Sequence, residues 1–340
     1  MLSTLTSIAS DAFYKCKLTS FTLPKGVVAE TASGMGLSSC QNLKSIDVED
    51  GNPQYYSLDG VLFCLNDTLV AYPGGGNAEY TIPSNVKAFG ASSFEGSNIQ
   101  KIVFPDGLKY IGKSAFASSK LTSAKIPSSV ETISNYAFSN CPLTEVTLPE
   151  GLTVIASGAF SDTSLASVVI PNSVQKISDY AFLYSLLSKV DLCESVTEVS
   201  QSAFFSSRIE TVVLPNSLTN IGKSAFSYCT GLKEIYSKIS EPFVLSATDI
   251  FASDDDESSS YNKAVLYVPT GTKDKYMSTD YWNLFKNIVE YDVTSVDRVD
   301  SAVAPVEVAR YNVSGQRMSS AEKGLGIVKM SDGTVRKIFR

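Results

Sequence analysis

An Ala-Phe pair recurs in this chain at a fixed interval of 22 residues, and other residue types keep the same interval. The phenylalanines of this column are Phe94, Phe116, Phe138, Phe160, Phe182, Phe204 and Phe226. An alanine precedes each of the last six, and an isoleucine or valine stands five positions before each of them. One such unit cannot bury its own hydrophobic face, whereas stacked units can, so the interval predicts a solenoid.

Two further copies of the repeat lie upstream of Phe94. The first contains Phe13 in the phenylalanine position, and the second, more degenerate copy has Leu37 there. The distance from Leu37 to Phe94 is 57 residues, one interval plus 35, which indicates an inserted segment. We therefore expect about nine repeats within residues 1–236.

Each repeat combines a strand pattern with a second apolar segment. Val146 and Leu148 alternate on one face of a strand, and Pro149 ends it because proline has no N–H to donate. Leu152, Ile155 and Ala159 then follow at i, i+3 and i+7, which is helical spacing. The sequence thus predicts an α/β solenoid of parallel strands, with the phenylalanines filling the interior.

The pattern Ile-x-x-x-Ala-Phe followed by Leu-x-x-Val-x-Leu-Pro resembles the BspA-like leucine-rich repeat family over about residues 1–290. Residues 52–73 resemble the hairpin insertion of that family, and residues 264–292 resemble its C-terminal end piece. The resemblance implies a leucine-rich repeat fold and an adhesive bacterial surface protein. A fold alone does not fix a function, so the role needs separate evidence.

Composition argues against several classes of protein. The net charge of −7 opposes binding to nucleic acid, which requires basic surface. The chain contains no histidine, the commonest general base and metal ligand. Catalytic sequence motifs are also missing, so we expect a protein that is not an enzyme and has no cofactor or metal.

The N-terminal sequence MLSTLTSIASDAF shows no signal peptide, and no segment approaches the roughly 20 apolar residues of a membrane span. Because the chain begins in the middle of the repeat pattern, we expect a mature or truncated form. Together with the resemblance, this suggests a secreted or cell-surface protein that does not insert into a membrane.

Four of the six cysteines occupy one repeat position, three residues after the phenylalanine column: Cys16, Cys40, Cys141 and Cys229. Serine or threonine holds this position in other repeats, so we expect small buried side chains and no disulfide framework. A bond between Cys16 and Cys40, in neighbouring repeats, is the alternative.

Two segments interrupt the repeat pattern, and the second of them contains an acidic run. Residues 49–80 predict a hairpin that projects from one edge, either as a decoration or as a partner-binding excursion. Residues 237–292, which contain Trp282, predict a cap over the end of the solenoid, with a ligand-binding aromatic patch as the alternative. The acidic run 253–261 lacks the glycine and closing glutamate of an EF-hand and is interpreted as a solvated loop.

Beyond a linker at residues 293–305, residues 306–340 predict a small β-module of two hairpins. Its Tyr-Asn-x-x-Gly-Gln-Arg stretch and glycine-rich run resemble C-terminal sorting modules of secreted bacterial proteins. A sorting or anchoring role follows from that resemblance, and a plain extra β-module is the alternative.

The residues that flank the central hydrophobe of each strand should face outward and form a broad, shallow surface. This surface carries charges of both signs and one aromatic side chain. The candidate partner-binding residues are Lys101, Lys125, Glu145, Lys189, Asp191, Glu234 and Tyr236.

The sequence is compatible with three functions. The first is adhesion, in which a monomeric scaffold presents the repeat face to a host or bacterial surface protein. The second is glycan capture for nutrient uptake, which requires exposed aromatic rings near the insertion, namely Tyr55, Tyr56, Phe63, Tyr72 and Tyr80. The third is a structural surface-layer component without a specific ligand.

Overall fold

The computed structural model describes residues 5–28, 35–255 and 257–293, together with the backbone of three strands near the C-terminus. The chain divides into two compact units, residues 1–295 and 296–340. The first unit is a parallel β-solenoid of about 12 turns.

A first ladder of parallel strands runs along the solenoid and is built from the Leu-x-x-Val-x-Leu segments. Val146 and its equivalents point inward, whereas the residues on either side point outward. The strands of this first ladder are Phe21–Leu23, Ile46–Val48, Glu79–Thr81, Lys101–Val103, Ser123–Lys125, Glu145–Thr147, Lys189–Asp191, Thr211–Leu214, Glu234–Ser237, Val265–Pro269 and Asn287–Tyr291.

A second ladder of very short strands forms another side of each turn. Its inward-facing residues are Phe89 in the first strand and, in the others, the isoleucine or valine five positions before the phenylalanine column, and they are fully or almost fully buried. The strands of this second ladder are Ala88–Phe89, Tyr110–Ile111, Thr132–Ile133, Val154–Ile155, Lys176–Ile177, Glu198–Val199 and Asn220–Ile221.

The Ala-Phe turns form a third row of hydrogen bonds between repeats. The N–H of Tyr136, Phe138 and Asn140 donate to the carbonyls of Ser157, Ala159 and Ser161 at 2.9, 2.9 and 2.8 Å. The donors two residues before and after Phe138 have left-handed backbones, with φ of 58° and 55°. With these two left-handed residues, every second N–H of the turn (136, 138 and 140) points towards the next repeat.

The phenylalanines stack face to face through the centre of the solenoid. From Phe94 to Phe226, neighbouring ring centroids lie 4.7–5.6 Å apart, and the rings deviate from parallel by at most 13°. These distances approach the spacing of about 4.8 Å between paired strands. Phe251 extends the stack by one ring, at 5.3 Å from Phe226.

The expected leucine-rich repeat stack of parallel strands is confirmed, but the helical segment within each repeat is wrong. Leu152, Ile155 and Ala159 are buried as expected, yet they lie in a turn, the strand Val154–Ile155 and the Ala-Phe turn. Left-handed residues on both sides of each phenylalanine interrupt any α-helix. The helices of the described residues are short: α-helices Ser260–Lys263 and Lys273–Ser278, and 3-10 helices Leu37–Ser39 and Trp282–Leu284.

The insertion does not project from the solenoid as expected, because it forms part of it. Its strands Tyr55–Leu58, Val61–Cys64 and Thr68–Ala71 form an antiparallel meander. Asn66-Asp67 forms the turn between the second and third of these strands, and Asp59-Gly60 forms the turn between the first and second. The last strand pairs in parallel with Ala88–Phe89, so the meander continues the second ladder.

Three glycines join the insertion to the second turn of the solenoid. A Cβ atom on Gly74 would lie 2.4 Å from the carbonyl oxygen of Ser38 and 2.6 Å from that of Cys40. The N–H of Gly75 donates to the carbonyl of Leu43 at 2.9 Å. Glycine therefore allows two backbone segments to approach more closely than a side chain would permit.

The segment predicted as a cap also carries the solenoid forward. Strands Val265–Pro269 and Asn287–Tyr291 extend the first ladder in parallel register. Trp282 is fully buried and contacts Phe251 and Tyr276, and its indole N–H donates to the carbonyl of Phe243 at 2.8 Å. This tryptophan is therefore a core residue and does not form a ligand-binding patch.

All six cysteines are free thiols, as expected. The Cys141 thiol donates to the carbonyl of Phe116 in the preceding repeat at 2.9 Å, and Cys229 bonds in the same way to Phe204 at 3.2 Å. Cys40 is also buried, but Cys16 is exposed, so the expectation of burial is wrong for that residue.

In the second unit, the described backbone comprises strands Glu307–Asn312, Leu325–Met330 and Val335–Phe339. Successive strands pair antiparallel, which is the arrangement that two consecutive hairpins produce. The linker region from 294 to 305 and the expected turns at 313–324 and 331–334 lie outside the described residues.

Replacement of Phe160 by alanine should reduce the free energy of unfolding by about 3–5 kcal/mol, the usual range for truncation of a buried phenylalanine. The ring is fully buried and lies between Phe138 and Phe182 at 5.5 and 5.6 Å. Urea unfolding measures the change, and Val103→Ala, at a side chain that is 60% exposed, is the control. A loss below about 1 kcal/mol would show that the phenylalanine column is not core.

Replacement of Gly74 by alanine should reduce the free energy of unfolding by about 1–3 kcal/mol, because the added methyl group forces backbone shifts. Gly151→Ala is the matched control, since a Cβ atom there meets no other atom within 4 Å. The control should be neutral or slightly stabilising. Equal urea midpoints for the two variants would contradict the close approach at Gly74.

Candidate functional site

The seven candidate residues all lie on the outward surface of the first ladder, which we call the ladder face. Lys101, Lys125 and Glu145 are exposed. Lys189, Asp191, Glu234 and Tyr236 are half-buried. No strand is assigned at residues 167–169, so the ladder face has a charged middle part and a separate C-terminal part.

The middle part contains an ion pair that the sequence analysis did not identify. Glu79 and Lys101 occupy matching positions on paired strands, and the carboxylate lies 2.8 Å from the ammonium group. The hydrogen bond from Lys101 to Glu79 raises the pKa of the lysine. Lys125 and Glu145 lie on the next pair of strands, where their register partners are Thr147 and Ser123.

The C-terminal part is a continuous sheet of five strands. Register places Lys189, Thr211 and Glu234 in one row across three strands. A second row contains Asp191, Val213 and Tyr236. The structure therefore brings four of the seven candidates together and leaves the other three at a distance along the axis.

Two tyrosines that the sequence analysis missed join Tyr236 on this surface. Tyr267 lies opposite Tyr236 on the next strand, and the two rings stack at 4.6 Å and 6°. Tyr291 packs edge-to-face against both rings, at 5.7 and 6.2 Å. A sequence signal existed, because Leu266-x-Val268-Pro269 repeats the pattern of Val146-x-Leu148-Pro149.

The hydroxyl groups of this cluster lie in a partly desolvated, negatively charged environment. Burial raises the pKa of Tyr236, and the carboxylate of Glu234 adds to the increase. Burial also raises the pKa of Tyr291 to about 12, with contributions from Tyr236 and Glu194. The Tyr291 hydroxyl donates to the carbonyl of Ser237 at 3.2 Å, which fixes the ring across the strand ends.

The aromatic rings near the insertion do not form the surface that glycan capture requires. Tyr55, Phe63 and Tyr72 are buried. Tyr56 stacks on Phe63 at 5.4 Å, and Tyr80 packs against Tyr72 at 5.2 Å. Burial raises the pKa of Tyr72 and of Tyr80 to about 12. These rings are part of the core, so the exposure on which the glycan hypothesis depended is not found.

Other surface features are shallow. An open groove of about 410 Å³ lies beside the second ladder, between Lys113, Asn135 and Thr153. Within the described ranges, none of the helices has the length and apolar character needed to cross a bilayer.

A parallel solenoid with this interior and an open outward ladder is a leucine-rich repeat protein. The model of the BspA type leucine rich repeat region matches in six copies, over residues 1–63, 76–186 and 110–233. The chain belongs to this family. No curated protein sequence matches it significantly.

Solved structures with the same fold include a leucine-rich repeat protein from Eubacterium ventriosum, with 25% identity and a TM-score of 0.52. The match covers 64% of this chain and 63% of that protein, so this chain spans less than two thirds of its relative. A leucine-rich repeat protein from Bacteroides ovatus is 18% identical over 86% of this chain and 83% of its own, with a TM-score of 0.44. A leucine rich cell surface protein from Faecalibacterium prausnitzii is 24% identical over 69% and 52%, with a TM-score of 0.39.

The stability of the protein should fall as the pH rises from about 9 to 12. Unfolded tyrosines lose their protons near pH 10, whereas Tyr72, Tyr80 and Tyr291 keep theirs to about 12 in the folded state. The unfolded chain then binds fewer protons than the folded one, so the stabilisation is present below pH 10 and is lost above it. Without histidine, stability should change little between pH 6 and 8.

Thermal unfolding midpoints at pH 7, 9.5 and 11 measure this dependence. Tyr72→Phe should make the loss above pH 10 shallower, because one buried titrating group is removed. Tyr184→Phe, at a side chain that is half exposed, is the control and should retain the wild-type slope. A midpoint that is constant up to pH 11 would contradict the burial of these hydroxyl groups.

Proposed function

We propose that the protein is a non-enzymatic, secreted or cell-surface binding protein whose ladder face contacts a macromolecular partner, in the manner of an adhesin. The solenoid acts as a rigid, monomeric scaffold, and the partner is a protein. Membership of the BspA type leucine-rich repeat family supports this location.

The observation that carries the proposal is the composition and shape of the ladder face. Its inward residues are fixed by the core, whereas its outward residues vary from repeat to repeat and present both signs of charge. Such a surface offers many modest contacts over a wide area, which suits a protein partner better than a small molecule. Charges at the edge of an interface mainly govern the association rate and the specificity.

The arrangement of charges also supports a role without catalysis. A glycosidase needs two carboxylates that flank one bond. Glu145 and Asp191, the carboxylates among the candidates that could be considered for such a pair, lie on two separate sheets. For residues 306–340, the sorting or anchoring role remains our proposal from the sequence resemblance.

The full chain should bind at least one member of a panel of purified extracellular-matrix and plasma proteins, measured by surface plasmon resonance. The triple variant Lys125→Glu, Glu145→Lys and Lys189→Glu should bind that partner at least about ten-fold more weakly, mainly through slower association. The loss should be smaller at high salt, since ions screen exposed charges.

The control is a triple variant with the same change in charge at exposed positions away from the outward ladder positions: Lys120→Glu, Lys223→Glu and Glu150→Lys. It should retain affinity within about two-fold, as expected for charges outside an interface. Equal losses in both triple variants would mean that net charge alone governs binding, and the absence of binding to the whole panel would contradict the proposed partner class.

A further inference from the structure

The C-terminal part of the ladder face differs from the rest in its chemistry. One row across the five strands reads Asp191, Val213, Tyr236, Tyr267 and Val289. Val289 is 45% exposed, and the tyrosines are half-buried. With Tyr291 beside them, Tyr236 and Tyr267 form a compact aromatic surface, which we call the tyrosine cluster.

The geometry of the rings limits what the cluster can bind. Tyr236 and Tyr267 cover one another's faces at 4.6 Å, and Tyr291 packs against both. The cluster therefore presents mainly ring edges and hydroxyl groups, whereas binding of a sugar by stacking needs an open ring face. Rigid tyrosines that are already packed lose little conformational freedom on binding, and tyrosine is enriched at the centres of protein interfaces.

The charges around the cluster favour one kind of protein surface. The carboxylates of Glu194 and Glu234 help to raise the pKa of Tyr291 and of Tyr236, respectively. Asp191 lies in the same row of the sheet as Tyr236. Lys238 is paired with Glu194 at 2.8 Å. Asp191, Glu194 and Glu234 supply three carboxylates around the cluster. Lys189 and Lys238 supply two ammonium groups, so negative charge is in excess.

We propose that the tyrosine cluster is the energetic centre of the ladder face and binds a protein segment that carries arginine or lysine beside apolar side chains. The apolar side chains cover Val289 and the ring edges. The cationic groups hydrogen-bond to the tyrosine hydroxyl oxygens and to the Glu234 carboxylate. This inference rests on the proposed binding function and names the part of the face that determines the lifetime of the complex.

A phage-displayed random-peptide library selected against the immobilised full chain tests the proposal. The enriched peptides should contain arginine or lysine together with apolar residues. When synthesised, they should bind Tyr236→Ser/Tyr267→Ser at least about ten-fold more weakly, through faster dissociation, as expected for the centre of an interface. Tyr184→Ser is the matched control, because Tyr184 is 50% exposed on another side of the solenoid, and it should change affinity less than about two-fold.

Glu234→Lys provides a second variant that keeps the rings and reverses the local charge. It should retain the wild-type melting temperature and weaken the basic peptides at least about five-fold. Enriched peptides that are acidic, or that bind all variants equally, would overturn the proposal. A saccharide array that shows binding dependent on Tyr236 and Tyr267, without peptide binding, would also overturn it.

The two proposals fail in different ways. A panel protein that is sensitive to Lys125, Glu145 and Lys189 but not to the tyrosines would support the ladder face and refute the role of the cluster. Basic peptides that depend on the tyrosines, with no panel protein bound, would support the cluster and refute binding to extracellular-matrix and plasma proteins.

Discussion

The hydrogen bonds between successive Ala-Phe turns determine how the repeats stack. From Phe94 to Phe204, each turn donates three N–H groups to the next one, which requires left-handed backbone on both sides of the phenylalanine. Most residues at these positions are not glycine, and each left-handed non-glycine residue carries a cost of roughly 1–2 kcal/mol. The strain is offset only when the next turn accepts the bonds, so an isolated repeat has no reason to adopt this backbone.

The side chains follow from this backbone geometry. Since the turns repeat at nearly the spacing of paired strands, any ring at the same position in each turn must stack on its neighbours. Phenylalanine fills the interior without a polar group, and alanine at the preceding position leaves room where the backbones meet. Three residues later, a thiol such as that of Cys141 donates to the phenylalanine carbonyl of the preceding repeat, which explains why cysteine and hydroxyl residues exchange there.

Much of the fold could be predicted because residues at the same position of each repeat contact one another in the stack. Identical residues at a fixed interval identified the solenoid, the inward face of each strand and the free cysteines. The helix was wrong because the spacing of Leu152, Ile155 and Ala159 is produced equally by a chain that turns corners around a core. The left-handed backbone could not be predicted from the sequence, because tyrosine and serine occupy most of these positions and glycine is the usual signal for this conformation.

The ladder face could be predicted only in part, because it consists of the outward residues of each repeat. The repeat constrains the inward residues alone, so outward residues are free to change, and their meaning depends on neighbours across strands. The pattern Leu266-x-Val268-Pro269 could have placed Tyr267 outward, but its contacts with Tyr236 and Tyr291 follow only from the pairing of Glu234–Ser237, Val265–Pro269 and Asn287–Tyr291 in consecutive order. The stacked core fixes the positions of these outward side chains, so under our proposal a partner meets a surface already in its binding geometry. In that proposed complex, the charges along the middle of the ladder face guide the encounter, and the packed tyrosines at its C-terminal part supply the contacts that persist.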